Sequence, residues 1–235
     1  MGAGAVPGLL TAILPEPVVV AETRTELSTC LHPAERDYIA QAVDKRCAEF
    51  TTVRGCASRA LRALGHERPV QVPGRHGEPA WPRGVVGSMT HCNGYRAAAV
   101  APAEALDAIG IDAEPNAPLP DGVAMQVASP EEARRCARLL AQYPQVRFDR
   151  LLFSIKESVY KAWFPREGVW LGFEEAEVVI DPEGTFMVSL GTGAGRARYT
   201  GAWACAGGTL VSALAVPAGR WRATPCPPLP RDREI

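Results

Sequence analysis

Apolar positions along the chain change their spacing several times, and each change marks a predicted element. From Pro33 to Leu64 they recur at helical spacing with a break near Val43, and Gly65 then follows as a C-terminal cap. The segment from 69 to 84 contains repeated prolines and glycines and is predicted to be loop. Short apolar runs predict strands at 17–21, 85–89, 95–101 and 108–113.

The second half of the chain repeats this order of helices followed by strands. A proline-rich connection, 115–122, comes first, and Ser129 with Pro130 is typical of the start of a helix that extends to Gln142. A further helix carries Glu157. Strands are predicted at 177–180, 185–190, 199–206 and 209–216. Helices followed by runs of strands indicate the α+β class rather than a parallel α/β sheet.

The similar order of elements suggests two halves. Residues 95–102 and 210–217 are both apolar strands that end in proline, which hints at an internal duplication. We predict an N-terminal half at 1–114 and a C-terminal half at 115–217. The proline-containing tail, 218–235, is predicted to be frayed.

Composition and charge narrow the classes of partner. The chain has 235 residues, of which 47% are hydrophobic, so it has ample apolar content for a globular core. Its formal net charge of −1 argues against general binding to nucleic acid. Between Lys45 and Arg68, however, six basic residues face only Glu49 and Glu67, and this local excess indicates a small anionic ligand.

The seven cysteines form no C-x-x-C pair, so free thiols in a reducing compartment are expected rather than disulfides or a zinc site. The apolar streak at 1–14 has no basic region before it, and Pro7 and Pro15 bracket a short segment there, so neither a signal peptide nor a membrane span is predicted. We therefore expect a cytoplasmic protein that does not bind membranes.

Two short motifs contain the candidate chemistry. Asp112 and Glu114 are two residues apart on a predicted strand and therefore share one face. Glu157 and Lys161 are four apart on a predicted helix. Three carboxylates that converge where this strand meets this helix would suit Mg²⁺, with Mn²⁺ as an alternative, facing a phosphate. Taken singly, each motif is more often an ordinary solvated surface pair.

These motifs resemble those of a known family. The run from Gly110 to Glu114, followed by Phe153-Ser154-Ile155-Lys156-Glu157-Ser158-Val159-Tyr160-Lys161-Ala162, is similar to the paired signature of 4′-phosphopantetheinyl transferases of the surfactin- and enterobactin-synthetase type. The resemblance extends to the segment from Lys45 to Arg54 and to the run from Gly87 to Cys92. Actinobacterial members look most similar.

The resemblance implies a fold and an activity. The fold would be two pseudo-symmetric α+β halves, each a small antiparallel sheet packed with helices, with the ligand cleft between them. The enzyme would be a monomer that transfers 4′-phosphopantetheine from coenzyme A to a serine of an acyl or peptidyl carrier protein and releases 3′,5′-ADP. Such enzymes activate carrier proteins for polyketide and nonribosomal peptide biosynthesis.

The resemblance also implies roles for individual residues. Asp112, Glu114 and Glu157 would hold Mg²⁺ against the diphosphate, and Lys161 would lie near the reacting phosphate. The coenzyme A site would further include the side chains of Arg46, Arg54, Thr90, His91 and Lys156. Related chains often have a lysine where this one has Pro73, which leaves Arg75 or His76 as a substitute.

The residue types are compatible with this chemistry, and some choices stay open. Glu157 is a candidate general base as well as a metal ligand, and Lys161 would stabilise developing charge. The same carboxylates would also suit a Mg²⁺-dependent nucleotide phosphohydrolase. A third possibility is a coenzyme A-binding module without catalytic activity.

Overall fold

The computed structural model describes residues 8–120, 122–191 and 196–222 and contains an α+β fold with two antiparallel sheets. The α+β class predicted from the sequence is therefore confirmed. Most of the tail predicted to be frayed, 223–235, lies outside the described residues. Among the described residues, none of the helices combines the length and the apolar character that crossing a bilayer requires.

The first sheet has three strands in the order β1-β3-β2. The strands are β1 (Val19–Thr23), β2 (Val85–Cys92) and β3 (Tyr95–Pro102). Three helices belong to this part of the chain: α1 (Leu9–Ile13), α2 (Pro33–Ile39) and α3 (Asp44–Ala63). Helix α3 packs across β3. The small side chains of the central alanines of β3 let the helix approach closely, and these alanines are fully buried.

The second sheet has five strands in the order β4-β8-β7-β6-β5. Its strands are β4 (Leu106–Pro115), β5 (Ala176–Asp181), β6 (Thr185–Leu190), β7 (Ala197–Ala206) and β8 (Thr209–Pro217). The helices of this part are α4 (Val123–Val127), α5 (Pro130–Gln142) and α6 (Phe148–Glu167). Helix α6 is buried between this sheet and α5, and its aromatic and aliphatic residues contribute to the largest apolar cluster.

The two sheets meet where β2 lies beside β4. The hydroxyl of Ser88 accepts a hydrogen bond from the Ile111 N–H at 3.1 Å, and that of Thr90 accepts from the Ala113 N–H at 3.0 Å. Side-chain oxygens thus satisfy backbone groups on the β4 edge that faces away from β8. The contact fixes the position of β4 between the two parts of the molecule.

Helix α6 crosses β4 closely at Gly110. A Cβ atom at this position would lie 1.8 Å from the Ser158 carbonyl oxygen, so only glycine permits the observed separation of strand and helix. This close crossing brings the cleft-facing side of α6 next to the carboxylates of β4.

The structure confirms one detail of the sequence prediction and adds others that were not predicted. The break near Val43 is confirmed, because α2 ends at Ile39 and α3 begins at Asp44 with Val43 as its N-cap. The short helices α1 and α4 were not predicted, since five residues are too few for a helical period to be recognised. The division between residues 114 and 115 stays a prediction, although hydrogen bonding places all of β4 in the five-stranded sheet.

The described part of the tail is held against the C-terminal sheet. The Asp107 carboxylate accepts hydrogen bonds from the backbone N–H groups of Arg220 and Trp221, at 3.0 and 2.9 Å. The Trp221 ring also stacks on Tyr199, with the ring centroids 5.2 Å apart. These contacts attach Arg220 and Trp221 to the five-stranded sheet, while a frayed tail over 218–235 stays a prediction.

Candidate active site

A cleft of about 380 Å³ lies where α3, β2, α6 and the 69–84 loop approach one another. Its lining includes basic, acidic, hydroxyl and aromatic side chains from both parts of the chain. The predicted site residues among them are Arg46, Arg54, His76, Thr90, His91, Glu157 and Lys161. The tertiary structure therefore brings together residues that are separated by more than a hundred positions in the sequence.

Asp112 lies at the junction of the two sheets, next to this cleft. Its Oδ1 atom accepts hydrogen bonds from Lys161 Nζ at 2.6 Å and from the Thr90 hydroxyl at 3.3 Å. Its Oδ2 atom is buried and has no hydrogen-bond partner among the described residues. A buried carboxylate oxygen without a partner is costly, and a cation would satisfy it.

The negative charge of Asp112 affects the pKa of the other two carboxylates, Glu157 and Glu114. Burial raises the pKa of Glu157; Asp112 raises it further, while Lys161 lowers it. Burial also raises the pKa of Glu114, as does Asp112, whereas Arg150 opposes the shift through an ion pair of 3.0 Å. Asp112 therefore repels both other carboxylates, which is the arrangement that a bound cation would relieve.

The three carboxylates do not form a closed cluster. In the described part of the chain, no group of three or more His, Cys, Asp or Glu side chains is arranged to hold a metal ion. Lys161 forms an ion pair with Asp112, and Arg150 forms one with Glu114. The predicted convergence of the three carboxylates on one ion is therefore not present in this arrangement. The donor types and the unpaired oxygen of Asp112 nevertheless fit Mg²⁺, which prefers carboxylate oxygens.

Arg46 of α3 and His91 of β2 line the wall of the cleft opposite α6. Arg46 Nη1 lies 2.7 Å from His91 Nε2, so the imidazole accepts a hydrogen bond from the guanidinium. Burial, opposed by Glu49 and reinforced by Arg46, lowers the pKa of His91. The Glu49 carboxylate lies 3.7 Å from His91 Nδ1 and 3.8 Å from Arg96. His91 is thus neutral at neutral pH and lies between a cation and an anion.

Arg54 presents a second guanidinium to the cleft. Its guanidinium carbon lies 3.3 Å from the centroid of the Phe50 ring, and its Nη2 donates to the Gln71 carbonyl at 2.7 Å. Burial lowers the pKa of Arg54 to about 10, which still leaves it charged at neutral pH. Its buried Nε has no hydrogen-bond partner among the described residues, so the group retains a donor for a ligand.

The 69–84 loop contains Arg75 and His76, the two proposed substitutes for the missing lysine, and only one of them lines the cleft. His76 lines the cleft, and its ring lies 4.7 Å from that of Phe164. Arg75 is exposed and is not among the residues that line the cleft. Of the two candidates, His76 is the one placed to meet a ligand.

Lys156 requires a correction. Its ammonium is buried and donates three hydrogen bonds of 2.8 Å, to Glu132 Oε2 and to the carbonyls of Val127 and Phe173. All three acceptors belong to the C-terminal part of the chain, so Lys156 joins α6 to α4, α5 and the segment before β5. With all three protons donated inside the protein, it has none left for coenzyme A.

Some residues at the cleft were not recognised from the sequence. Phe50 supports Arg54, and its i,i+4 spacing on α3 is a signal that predicts such a stacked pair. Tyr160 lies three residues after Glu157 and therefore on the same face of α6; its buried hydroxyl has no partner in the described chain. Glu78 also lines the cleft, but nothing in its local sequence indicates this.

Comparison with known proteins identifies two matching family models. A model of the 4′-phosphopantetheinyl transferase N-terminal domain matches residues 34–101, and a model of the 4′-phosphopantetheinyl transferase superfamily matches residues 108–211. The two matches are separated by residues 102–107, and the second begins within β4, the strand that contains Asp112.

Individual relatives agree with these models. The chain is 48% identical over 224 residues to the 4′-phosphopantetheinyl transferase Svp of Streptomyces mobaraensis, covering 90% of this chain and 91% of the relative. It is 44% identical over 200 residues to the 4′-phosphopantetheinyl transferase Npt of Nocardia iowensis, covering 78% and 88%. Similarity to the enterobactin synthase component D of Salmonella typhimurium is more distant, with 33% identity over 60% of this chain and 58% of the relative.

Proposed function

The chain belongs to the 4′-phosphopantetheinyl transferase superfamily, and we propose that it transfers 4′-phosphopantetheine from coenzyme A to a serine hydroxyl of a carrier protein. It is an enzyme of this class, as its similarity over nine tenths of its length to a named transferase indicates. The observation that carries the residue-level proposal is the cleft in which basic side chains of α3 face Glu157 and Lys161 of α6, with Asp112 of β4 paired to Lys161 behind it.

Coenzyme A would bind along the basic wall of this cleft. Arg46, Arg54 and His76 supply donors for its phosphates, and the Phe50 ring adds an apolar surface beside Arg54. Arginine is suited to this task because its planar fork of donors matches phosphate oxygens. We assign Arg54 and Arg46 to the 3′-phosphate end, and His91 with Thr90 to the phosphates nearer to the reaction.

The acidic residues would hold a divalent cation. Asp112, Glu114 and Glu157 provide the oxygen ligands for Mg²⁺, with Mn²⁺ as an alternative. When bound, the cation would neutralise charge on the diphosphate of coenzyme A. Lys161 would release Asp112 and turn to the phosphate, where an ammonium stabilises negative charge as the bond to phosphorus breaks.

Proton removal from the acceptor serine falls to Glu157. Its carboxylate lines the cleft and would accept the proton either directly or through a water molecule. Glu157 and Tyr160 line both the cleft and a neighbouring cavity next to Trp170 and Phe173. We propose that the acceptor serine would enter through this second cavity. Transfer releases 3′,5′-ADP.

The carrier protein and the compartment belong to the same proposal. The substrates would be acyl or peptidyl carrier proteins of fatty-acid, polyketide or nonribosomal peptide synthesis, and the enzyme would act as a monomer. We place it in the cytoplasm, where coenzyme A is available. The six cysteines of the described residues are free thiols, which is compatible with a reducing compartment.

The test incubates the purified chain with coenzyme A, Mg²⁺ and an apo carrier protein, followed by mass spectrometry of the intact carrier. A gain of one phosphopantetheine is expected, together with equimolar 3′,5′-ADP. A carrier whose acceptor serine is replaced by alanine should gain nothing, which controls for non-enzymatic adducts.

Two results would refute the transfer. Formation of 3′,5′-ADP with an unmodified carrier would indicate the Mg²⁺-dependent phosphohydrolase instead. Binding of coenzyme A without turnover on any carrier would indicate a non-catalytic binding module.

A further inference from the structure

The Glu35 carboxylate lies behind the cleft and accepts hydrogen bonds from groups at the start of the 69–84 loop. Its side chain is fully buried. Oε1 accepts hydrogen bonds from the Gln71 N–H at 2.7 Å and from Arg68 Nη1, while Oε2 accepts from Arg68 Nη2 at 3.1 Å and from the His32 N–H at 2.9 Å. Glu35 therefore ties the N-terminus of α2 to the beginning of the loop.

Gln71 extends this connection to the cleft. Like Glu35, it is fully buried. Its carbonyl accepts the 2.7 Å hydrogen bond from Arg54 Nη2, and its side-chain Nε2 donates to the Ala80 carbonyl at 3.1 Å. The first of these bonds holds a guanidinium of the cleft, and the second joins the two ends of the loop. The loop residues that line the cleft lie between these ends: Pro73, His76, Gly77, Glu78 and Pro79.

Between Gln71 and Ala80, the hydrogen bonds of the loop backbone are internal to the loop. Its backbone makes two internal hydrogen bonds, from the Gly74 N–H to the Glu78 carbonyl at 2.9 Å and from the Gly77 N–H to the Gly74 carbonyl at 3.0 Å. Both close the tip of the loop rather than attach it to the body of the protein. The loop is attached to the body by the Gly84 carbonyl, which accepts from the Ala103 N–H at 2.8 Å, by the ring contact of His76 with Phe164, and by the buried bonds of Glu35 and Gln71.

Charge supports the same connection. Arg54 is 6% exposed, and an isolated guanidinium in such a place would be strongly disfavoured. The negative charge of Glu35 favours the charged form of Arg54, although Arg68 and Arg46 oppose it. Glu35 thus helps to retain a cation where the ligand phosphate would bind, without itself lining the cleft.

We infer that Glu35 and Gln71 are positioning residues for coenzyme A. Glu35 holds the Arg54 guanidinium through the backbone of Gln71, and the Gln71 side chain holds the cleft-lining loop. The identity of the ligand, and the assignment of Arg54 to its 3′-phosphate, rest on the proposed function. The hydrogen-bonded connection itself rests on the geometry alone.

The experiment measures Kd by isothermal titration calorimetry for coenzyme A and for 3′-dephospho-coenzyme A. The variants are Glu35→Gln, Gln71→Ala, Arg54→Ala and the double variant Glu35→Gln/Arg54→Ala, and exposed Glu67→Gln is the matched control. In Glu35→Gln an amide NH₂ replaces an oxygen that accepts two hydrogen bonds. Its Kd for coenzyme A should therefore rise about tenfold, while Glu67→Gln leaves Kd unchanged.

Two comparisons separate positioning from general loss of structure. If Glu35 acts through Arg54, the Kd for 3′-dephospho-coenzyme A changes much less than that for coenzyme A. In addition, Glu35→Gln adds nothing once Arg54→Ala is present. Parallel weakening of both ligands, or full additivity in the double variant, would overturn the inference.

Gln71→Ala keeps the backbone groups that bond Glu35 and Arg54 and loses only the side-chain bond to the Ala80 carbonyl, so it tests the hold on the loop. Its Kd should rise for both ligands, and an unchanged Kd would overturn that part of the inference. If Glu35→Gln does not fold, as judged by circular dichroism, Glu35→Asp, whose shorter side chain withdraws the carboxylate from Gln71, replaces it in both comparisons.

This outcome is distinguishable from that of the proposed function. A parent chain that binds coenzyme A but modifies no carrier refutes the transfer and leaves the Kd comparison intact. A parent chain that does not bind coenzyme A overturns both.

Discussion

Lys161 of α6 and Asp112 of β4 form an ion pair of 2.6 Å across the junction of the two sheets. The pair joins the two motifs that stand forty-nine positions apart in the sequence. The Asp112 side chain is 7% exposed and that of Lys161 is 29% exposed, so the ammonium faces the cleft while the carboxylate stays behind it. Under the proposed function, the lysine would move towards a bound phosphate and free the carboxylate for a cation.

The first prediction concerns this carboxylate. Asp112→Asn keeps the shape of the side chain but removes the charge that a cation requires. We expect kcat for phosphopantetheine transfer to fall about a hundredfold or more, because charge stabilisation of several kcal/mol is lost. Mass spectrometry of the carrier gives the rate, and exposed Glu183→Gln serves as the control.

Removal of metal checks the same assignment independently. Dialysis of the parent chain against a chelator should abolish transfer, and added Mg²⁺ should restore it. Asp112→Asn should recover little at any Mg²⁺ concentration. If the variant transferred at the parental rate, Asp112 would not be a ligand.

The second prediction separates ligand binding from catalysis. Replacing Arg54 by alanine removes a guanidinium from the cleft wall, and we expect Kd for coenzyme A to rise about tenfold or more. The kcat at saturating coenzyme A should change much less, since Arg54 is assigned to the 3′-phosphate rather than to the reacting one. A fall in kcat with Kd unchanged would place Arg54 at the wrong end of the ligand.

The third prediction concerns Lys156, whose pair with Glu132 is 2.8 Å long with both side chains 2% exposed. Lys156→Met leaves a buried carboxylate without its cation, and the free energy of unfolding should fall by about 3–5 kcal/mol. Urea denaturation measures this loss. The double variant Lys156→Met/Glu132→Gln should be more stable than the single one, because no uncompensated charge remains.

Binding data complete that test. Where Lys156→Met is still folded, its Kd for coenzyme A should equal that of the parent. A selective loss of coenzyme A binding in a stable variant would instead restore Lys156 to the ligand site.

The fourth prediction tests the crossing of α6 over β4. Gly110→Ala forces a Cβ against the Ser158 carbonyl, and the free energy of unfolding should fall by about 3 kcal/mol or more. Gly208→Ala is the comparison, since no atom lies within 4 Å of its Cβ and only its positive φ of 74° is unfavourable. That strain costs about 1–2 kcal/mol. Equal losses at both positions would mean that the crossing tolerates a methyl group.

The fifth prediction concerns pH. Burial alone would raise the pKa of Glu35, but hydrogen bonds from Arg68, Gln71 and His32 lower it below its ordinary value of 4.5. A carboxylate whose folded-state pKa is lowered stabilises the fold above its unfolded-state pKa, and this contribution disappears as pH falls through the folded-state pKa.

The parent should therefore exceed Glu35→Gln in free energy of unfolding at neutral pH, and the difference should shrink as pH falls below 4.5. Urea denaturation of both proteins at a series of pH values measures it. A difference that stays constant across this range would show that the charge of Glu35 contributes nothing.

The sequence by itself determined the elements and the candidate chemistry. Helical and strand periods are local properties, so they predicted β2 to β8 and the helices α3 and α5 within a few residues, and they indicated a helix around Glu157, which is α6. The period of a strand also placed Asp112 and Glu114 on one face, and the motifs around them indicated the family.

The tertiary structure alone decided how these groups meet. Lys156 and Lys161 lie five residues apart on one helix, yet one ammonium is buried against Glu132 and the other reaches Asp112, because neighbouring elements decide which face of α6 is covered. The connection from Glu35 through Gln71 to Arg54 likewise depends on contacts between residues that are distant in sequence. Such contacts arise only when separate elements pack together, and no local pattern of residues specifies them.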